Sequence, residues 1–118
     1  MEAQSKSAKG QEIEQLACEY LQSHGLALIE KNYRCRRGEI DLVMKQNDTL
    51  VFVEVRYRKN QNFGGAKESI THSKQTKLHA TALHYLQQHQ HNANARFDVI
   101  AVTGAGTLDN IEWIQNAF

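Results

Sequence analysis

Proline is absent from the sequence, cysteine occurs only twice, and no hydrophobic run approaches the roughly 20 residues that cross a bilayer. Cys18 and Cys35 lack the spacing of a metal-binding motif, and nothing indicates an oxidising compartment, so we expect reduced thiols rather than a disulfide. Residues 1–6 lack the hydrophobic core of a signal peptide. These absences predict a cytoplasmic protein that does not associate with membranes.

Length and composition are typical of one globular domain. The 118 residues are 41% hydrophobic and 23% charged, which provides enough apolar material for a core. Residues 1–9 are polar, and we expect a flexible N-terminus there, followed by a single domain over residues 10–118. The six histidines contain no pair at i, i+4, so the sequence predicts no zinc site.

Hydrophobic periodicity predicts two helices and five strands in the order α-β-β-β-α-β-β. Gly25 fits the residue that follows the first helix, and Thr71 or Ser73 could cap the second. The expected helices cover 10–24 and 71–88, the strands cover 26–33, 38–45, 50–58, 97–102 and 110–114, and the connections cover 59–69, 89–95 and 104–106. This order favours an α/β or α+β sandwich with a mixed central sheet.

Two carboxylates interrupt segments that otherwise have the pattern of buried strands. Asp41 lies within the apolar segment 40–44, and Glu54 lies within the apolar segment 51–55. Burying a carboxylate is energetically costly unless another group compensates its charge. Two such residues close together indicate a bound cation.

The turn between these segments allows their pairing to be predicted. Asn47-Asp48 is typical of a hairpin turn, and a symmetric hairpin about it places Asp41 opposite Glu54 and Arg56 opposite Glu39. Facing Cβ atoms are about 4.5–5.5 Å apart, a distance at which like charges repel unless a metal or a basic group joins them.

The chemistry of these side chains fits phosphodiester hydrolysis. Alternation along the strand puts Glu54 and Arg56 on one face of the sheet, with Val55 and Tyr57 on the other. Glu14 borders the apolar stripe of the first helix and could reach a site between helix and sheet; a solvated helix-edge position is the alternative. Asp and Glu oxygens are ligands of Mg²⁺, which can polarise a phosphoryl oxygen and activate water.

Basic residues are concentrated around the carboxylate pair. Residues 31–77 carry eleven Lys and Arg against five Asp and Glu, whereas residues 1–30 and 97–118 each have an acidic excess. A positive field around a carboxylate site suits a polyanionic partner such as nucleic acid. A solvated surface of mixed charge is the alternative explanation.

The segments Gly38-Glu39-Ile40-Asp41 and Glu54-Val55-Arg56 resemble the D…(D/E)-x-K signature of the restriction-endonuclease-like nuclease superfamily, which includes archaeal Holliday-junction resolvases. More closely, nearly the whole chain resembles the YraN-like family of small bacterial predicted endonucleases. The segments that carry this second resemblance are 14–21, 32–43, 51–58, 63–64, 74–75 and 96–99. Together they are specific for the family, whereas the short carboxylate signature alone is a weak signal.

The resemblance implies a three-layer fold in which a mixed central sheet is flanked by helices. It also implies a Mg²⁺ or Mn²⁺ ion held by the side chains of Asp41, Glu54 and Glu14 and by the carbonyl of Val55. Arg56 stands where the superfamily has its catalytic lysine, and its role would be electrostatic because a guanidinium does not deprotonate. Lys74 could supply the missing amine or contact a phosphate; an exposed helix lysine is the alternative.

Our leading hypothesis is a divalent-metal-dependent endonuclease that acts on DNA or on a structured nucleic acid. Its expected catalytic residues are Asp41, Glu54, Arg56 and Lys74, and its expected nucleic-acid contacts are Arg34, Arg36, Arg37, Arg58 and Lys74. A nucleic-acid-binding module that has lost catalysis is the second hypothesis, and a structural interaction protein with an ion network is the third. The sequence leaves the substrate structure and the oligomeric state open, and a homodimer is one option.

Overall fold

The computed structural model describes residues 7–58, 70–89, 94–104 and 110–118. It contains the elements α1 (Ala8–Ser23), β1 (Ala27–Cys35), β2 (Gly38–Gln46), β3 (Thr49–Arg58), α2 (His72–Gln88), β4 (Ala95–Thr103) and β5 (Ile111–Ile114). The predicted order of helices and strands is therefore confirmed. The predicted connections over 59–69, 90–93 and 105–106 lie outside the described residues.

The five strands form one mixed sheet in the order β1-β2-β3-β4-β5. Neighbouring strands are antiparallel except for β3 and β4, which are parallel. A parallel pair requires a crossover connection, and α2 lies in the chain segment that makes it. The mixed sheet predicted from the element order is thus confirmed.

Helices cover both faces of the sheet, so the predicted three-layer arrangement is also confirmed. The cluster of buried residues on one face joins α2 to the sheet and includes Leu78, Ala82, Tyr85, Phe52, Phe97 and Val99. The cluster on the other face joins α1 to the sheet and includes Ile13, Ala17, Leu21, Leu42, Val53 and Ile100. In the described part of the chain, neither helix is long and apolar enough to cross a membrane.

Both helices begin at a side-chain cap. The Ser7 Oγ accepts a hydrogen bond from the Gly10 N–H at 3.0 Å, so α1 begins two residues before the predicted position. The Thr71 Oγ1 accepts from the Lys74 N–H at 3.1 Å, which makes Thr71 rather than Ser73 the cap of α2. Such caps satisfy backbone donors that have no partner within the helix, and they fix where each helix enters the site described below.

The hairpin of β2 and β3 has the predicted register. Facing pairs run from Gln46 and Thr49 to Leu42 and Val53, and Asn47 in the turn has a φ of 53°. The backbone ladder stops at Leu42 and Val53. Asp41 and Glu54 are thus the first residues beyond the ladder, at the end of the hairpin away from its turn.

Candidate metal site

A cavity of about 400 Å³ lies where the start of α1 approaches the ends of β2 and β3 and the first turn of α2. Its lining residues are Ser7, Gly10, Ile13, Glu14, Glu39, Asp41, Glu54, Val55, Tyr57 and Lys74. All four residues expected to hold a metal are among them, as is one of the expected cations. The structure therefore brings together residues from four elements at one pocket.

The three carboxylates of this pocket are buried. Glu14, Asp41 and Glu54 are only 6%, 9% and 5% exposed. Removing a carboxylate from water is unfavourable unless hydrogen bonds or opposite charges replace the lost hydration. The partners of these side chains therefore decide how much charge the pocket can hold.

Asp41 lies at a break in β2. Lys31 pairs with Leu42 and Tyr33 pairs with Ile40, but Asp41 between them belongs to neither ladder of its strand. The side chain of Ile40 packs in the α2 cluster whereas that of Leu42 packs in the α1 cluster, so the strict alternation of faces is interrupted at Asp41. Such irregularities in a strand re-aim side chains and are frequent next to functional sites.

A backbone hydrogen bond orients the Asp41 carboxylate. Its Oδ2 accepts from the Val55 N–H at 2.9 Å, across the point where the ladder of β2 and β3 has ended. The bond holds Asp41 beside the neighbouring carboxylate of Glu54, and Asp41 both repels Glu54 electrostatically and shares a side-chain hydrogen bond with it. The two carboxylates therefore form a pair, as the hairpin register predicts.

The surroundings of Glu54 shift the pKa of its carboxyl group strongly. Burial first, and then the negative charge of Asp41, raise the pKa of Glu54 to about 7. Lys74 Nζ and Arg56 Nη1 each lie 3.7 Å from the Glu54 Oε2 and oppose this increase. Both cations are much more exposed, at 43% and 35%, so their attraction is screened by water and leaves the carboxylate pair under-compensated.

The donor set fits a hard divalent cation. Among the described residues no group of three or more His, Cys, Asp or Glu side chains is arranged to hold a metal ion. Mg²⁺ commonly binds through one or two carboxylates and keeps several waters, so a pair of carboxylates without a third is compatible with this ion. Glu14 and Val55 line the same pocket and could add oxygen ligands.

The predicted arginine contacts fall into three places. Arg34 Nε lies 3.2 Å from Glu39 Oε2 and Arg56 Nη1 lies 3.7 Å from Glu54 Oε2, while the backbone ladder ends before the predicted facing pair of Arg56 and Glu39. Arg58 ends β3, two residues after Arg56. The remaining two arginines, Arg36 and Arg37, are exposed in the turn between β1 and β2 and line a different cleft.

Sequence reasoning missed the contribution of Tyr57. Simple alternation places Val55 and Tyr57 on the face opposite Glu54, yet all three line the same pocket. The pocket lies over the end of the strands rather than on one face, so it collects side chains from both. The Tyr57 hydroxyl donates to the Gly104 carbonyl at 2.7 Å, and Lys9 Nζ lies 5.3 Å from the centre of its ring. Gly104 follows the end of β4 and Lys9 lies in α1, so both contacts join residues distant in sequence, and no local sequence pattern indicates them.

Fold and site together define a small three-layer α/β protein with a buried carboxylate pair at the end of its sheet. The sequence profile of the uncharacterised protein family UPF0102 matches residues 13–102, and the chain belongs to this family. The chain is 52% identical over 112 residues to a UPF0102 protein of Nitrosococcus oceani, covering 93% of this chain and 90% of the relative. It is 52% identical over 114 residues to UPF0102 protein NE0719 of Nitrosomonas europaea, covering 97% and 96%. A UPF0102 protein of Aeromonas hydrophila is 53% identical over 117 residues, covering 97% and 87%.

Proposed function

We propose that this protein is a divalent-metal-dependent nuclease that hydrolyses phosphodiester bonds in DNA. The observation that carries the proposal is the buried pair of Asp41 and Glu54, in which burial first, and then the negative charge of Asp41, raise the pKa of Glu54 to about 7. A bound divalent cation would supply the compensation that Arg56 and Lys74 give only in part. Carboxylate oxygens and a partly hydrated cation are also the chemistry that phosphodiester hydrolysis uses.

Each pocket residue has a role in this proposal. Asp41, fixed by the Val55 N–H, and Glu54 would hold Mg²⁺ or Mn²⁺, with Glu14 and the Val55 carbonyl as further oxygen donors. When bound, the metal would polarise a phosphoryl oxygen and lower the pKa of a coordinated water. Burial of the carboxylates keeps bulk water away from their oxygens and strengthens their attraction for the cation.

Two cations could stabilise the negative charge that develops on the phosphate. Arg56 stays charged, so it would position and stabilise a phosphate rather than transfer a proton. Lys74 enters the pocket from the first turn of α2, and its ammonium group lies 3.7 Å from the Glu54 carboxylate. We therefore assign to Lys74 the role of the amine in the pocket. It would take the place of the catalytic lysine of the superfamily signature, whose position Arg56 occupies.

The surroundings of the pocket suit a polyanionic substrate. Arg34 lines up beside Glu39 at the start of β2, Arg58 follows Arg56 on β3, and Arg36 and Arg37 occupy the adjacent turn. Arginine guanidinium groups bind phosphate oxygens in a bidentate manner. Contacts of this kind would position a nucleic-acid backbone without reading its sequence.

Cleavage assays on linear, branched and single-stranded DNA with Mn²⁺ test the proposal. The wild type should cleave at least one of these substrates, and Glu54→Gln should abolish cleavage because a neutral amide binds the metal poorly. Glu30→Gln, which removes one exposed carboxylate from β1, is the matched control and should cleave like the wild type. Equal cleavage by the wild type and Glu54→Gln would refute the proposed active site.

A nucleic-acid-binding module without catalysis is the second candidate, and Arg56 is the observation that favours it. A guanidinium cannot serve as a proton donor or acceptor at neutral pH, so the pocket could bind a metal and a phosphate without hydrolysis. DNA binding by the wild type with a steep dependence on salt, together with no cleavage of any of the three substrates, would establish this alternative.

A further inference from the structure

A second cleft, of about 610 Å³, lies beside the turn between β1 and β2. Its described lining residues are Arg36 and Arg37 from that turn and His84 from α2. In the described part of the chain, neither guanidinium group makes a hydrogen bond or an ion pair, and both side chains are exposed. Two adjacent arginines that have no acidic partner among the described residues leave positive charge available for a ligand.

The hydrogen bond of His84 adds a third donor to this cleft. The Tyr33 hydroxyl and the His84 Nδ1 are hydrogen-bonded, and Tyr33 is buried. We assign the hydroxyl as the donor, since a phenolic hydroxyl keeps its proton at neutral pH and a neutral imidazole nitrogen can accept it. With Nδ1 accepting this hydrogen bond, the ring is neutral and its hydrogen is on the Nε2 of His84. The three side chains identified in the cleft therefore all offer N–H donors, which suits an anion and not a cation.

Two elements connect this cleft to the carboxylate pocket. Arg37 precedes Asp41 by four residues, which is about 13 Å in extended chain. On α2, Lys74 at the pocket precedes His84 at the cleft by ten residues, which is about 15 Å of helix. The helix contains no acidic residue over 72–88. It therefore presents no negative charge between the two places.

The start of β2 packs closely against α2 between the carboxylate pocket and the arginine cleft. A Cβ built on Gly38 would lie 3.1 Å from the Thr81 Oγ1 and 3.7 Å from the Lys77 Cβ. The start of β2 thus rests directly on α2, with Lys77 exposed next to the contact. Gly38 directly follows Arg37, and Lys77 follows Lys74 by three residues on α2, so the exposed Lys77 lies between the arginine cleft and the carboxylate pocket.

We propose that Arg36, Arg37 and His84 form a second phosphate subsite, which binds the backbone of a nucleic acid whose scissile phosphate lies at Asp41 and Glu54. At 3.4 Å per nucleotide along a duplex strand, the separation corresponds to about four steps. The inference rests on the proposed function for the identity of the ligand. It adds a defined place for the substrate strand and a residue, His84, that the nuclease signature does not contain.

The chain offers a matched pair of variants to test this subsite. Arg37→Gln and Lys45→Gln each remove one exposed positive charge. Arg37 lies four residues before Asp41, in the turn that precedes β2, and Lys45 lies four residues after Asp41, in β2. The probe is a fluorescent duplex of about 20 base pairs, roughly 68 Å long at 3.4 Å per step, which exceeds the 39 Å longest dimension of the protein. Binding is measured in EDTA over a range of salt concentrations, so that no cleavage interferes.

Arg37→Gln should reduce the slope of log K against log salt by about 0.9, and Arg36→Gln with Arg37→Gln by about 1.8. Lys45→Gln should leave the slope unchanged, and Arg37→Lys should retain it. His84→Gln should bind more tightly than His84→Leu because the amide can still donate. Thermal unfolding of each variant checks that the fold is retained, and the exposed arginine variants do not disturb the core.

The outcomes separate this inference from the proposed function. Equal slopes for Arg37→Gln and Lys45→Gln would overturn the subsite, while metal-dependent cleavage by the wild type would leave the proposed function intact. A wild type that binds no duplex at low salt would overturn the subsite, and the cleavage assays on the three substrates would then decide the proposed function separately. A reduced slope for Arg37→Gln alone would support the subsite, including in a protein that proves unable to cleave.

Discussion

Replacing Glu54 by Gln should change how the stability of the protein depends on pH. The pKa of Glu54 is about 7 in the folded protein, against an ordinary value of 4.5. The folded state therefore binds more protons than the unfolded state between these values, and stability falls as pH rises from about 4.5 to about 7. Below this window the carboxyl group is protonated in both states and has no such effect.

The difference between the two values amounts to about 3 kcal/mol, since each pKa unit is worth about 1.4 kcal/mol. Glu54→Gln preserves the shape of the side chain and removes the charge. The variant should match the wild type near pH 4 and exceed its free energy of unfolding by up to about 3 kcal/mol near pH 8.

Urea denaturation in the absence of divalent metal, at several pH values across this window, measures the effect directly. Glu30→Gln, in an exposed position, should show no comparable gain at high pH. A difference between wild type and Glu54→Gln that stays constant with pH, or that favours the wild type increasingly as pH rises, would refute the reasoning.

Three further predictions follow from the same contacts. Asp41→Asn should lower the pKa of Glu54, because Asp41 repels its charge, and Lys74→Ala should raise this pKa, because Lys74 attracts that charge. Carboxyl NMR titration checks both directions, with Asp48→Asn in the exposed turn as the control. In cleavage assays, Lys74→Ala should lose more activity than Lys74→Arg, which retains a cation; equal losses would show that the charge of Lys74 is not what matters. Thr71→Ala should reduce the free energy of unfolding by about 1 kcal/mol through loss of the α2 cap, and an unchanged denaturation midpoint would contradict that assignment.

The fold was largely predictable because its main determinants are local. The Asn47-Asp48 turn sets the register of β2 and β3, and the apolar periods of the two helices define which of their faces are buried. Thr71 is recognisable as a cap from its position before a periodic segment. These signals depend on neighbours within a few residues, and the sequence contains them in full.

The detailed geometry of the site could not be predicted in the same way. Asp41 lies at a break in the alternation of β2, whereas sequence reasoning assumes a regular strand. Tyr57 lines the pocket and its hydroxyl contacts Gly104, and Glu39 forms an ion pair with Arg34, its partner across β1 and β2. These arrangements depend on contacts between elements, and strand periodicity contains no information about them.

The cleft at Arg36 and Arg37 shows a similar limit. The two arginines are visible in the sequence as a basic cluster, but His84 is separated from them by more than forty residues and joins them only through the packing of α2 on β2. Its hydrogen bond with Tyr33, which decides the orientation of the ring, also links distant segments. The charge was therefore predictable, and the shape of the cleft was not.

The central claim is that the carboxylate pair binds a divalent cation, and calorimetric titration of Mn²⁺ and Mg²⁺ near pH 8 tests it most directly. The wild type should bind one or more ions with measurable heat, and both Asp41→Asn and Glu54→Gln should bind much more weakly, while Glu30→Gln binds like the wild type. Absence of binding to the wild type, or equal binding to the wild type and the two pocket variants, would contradict the account.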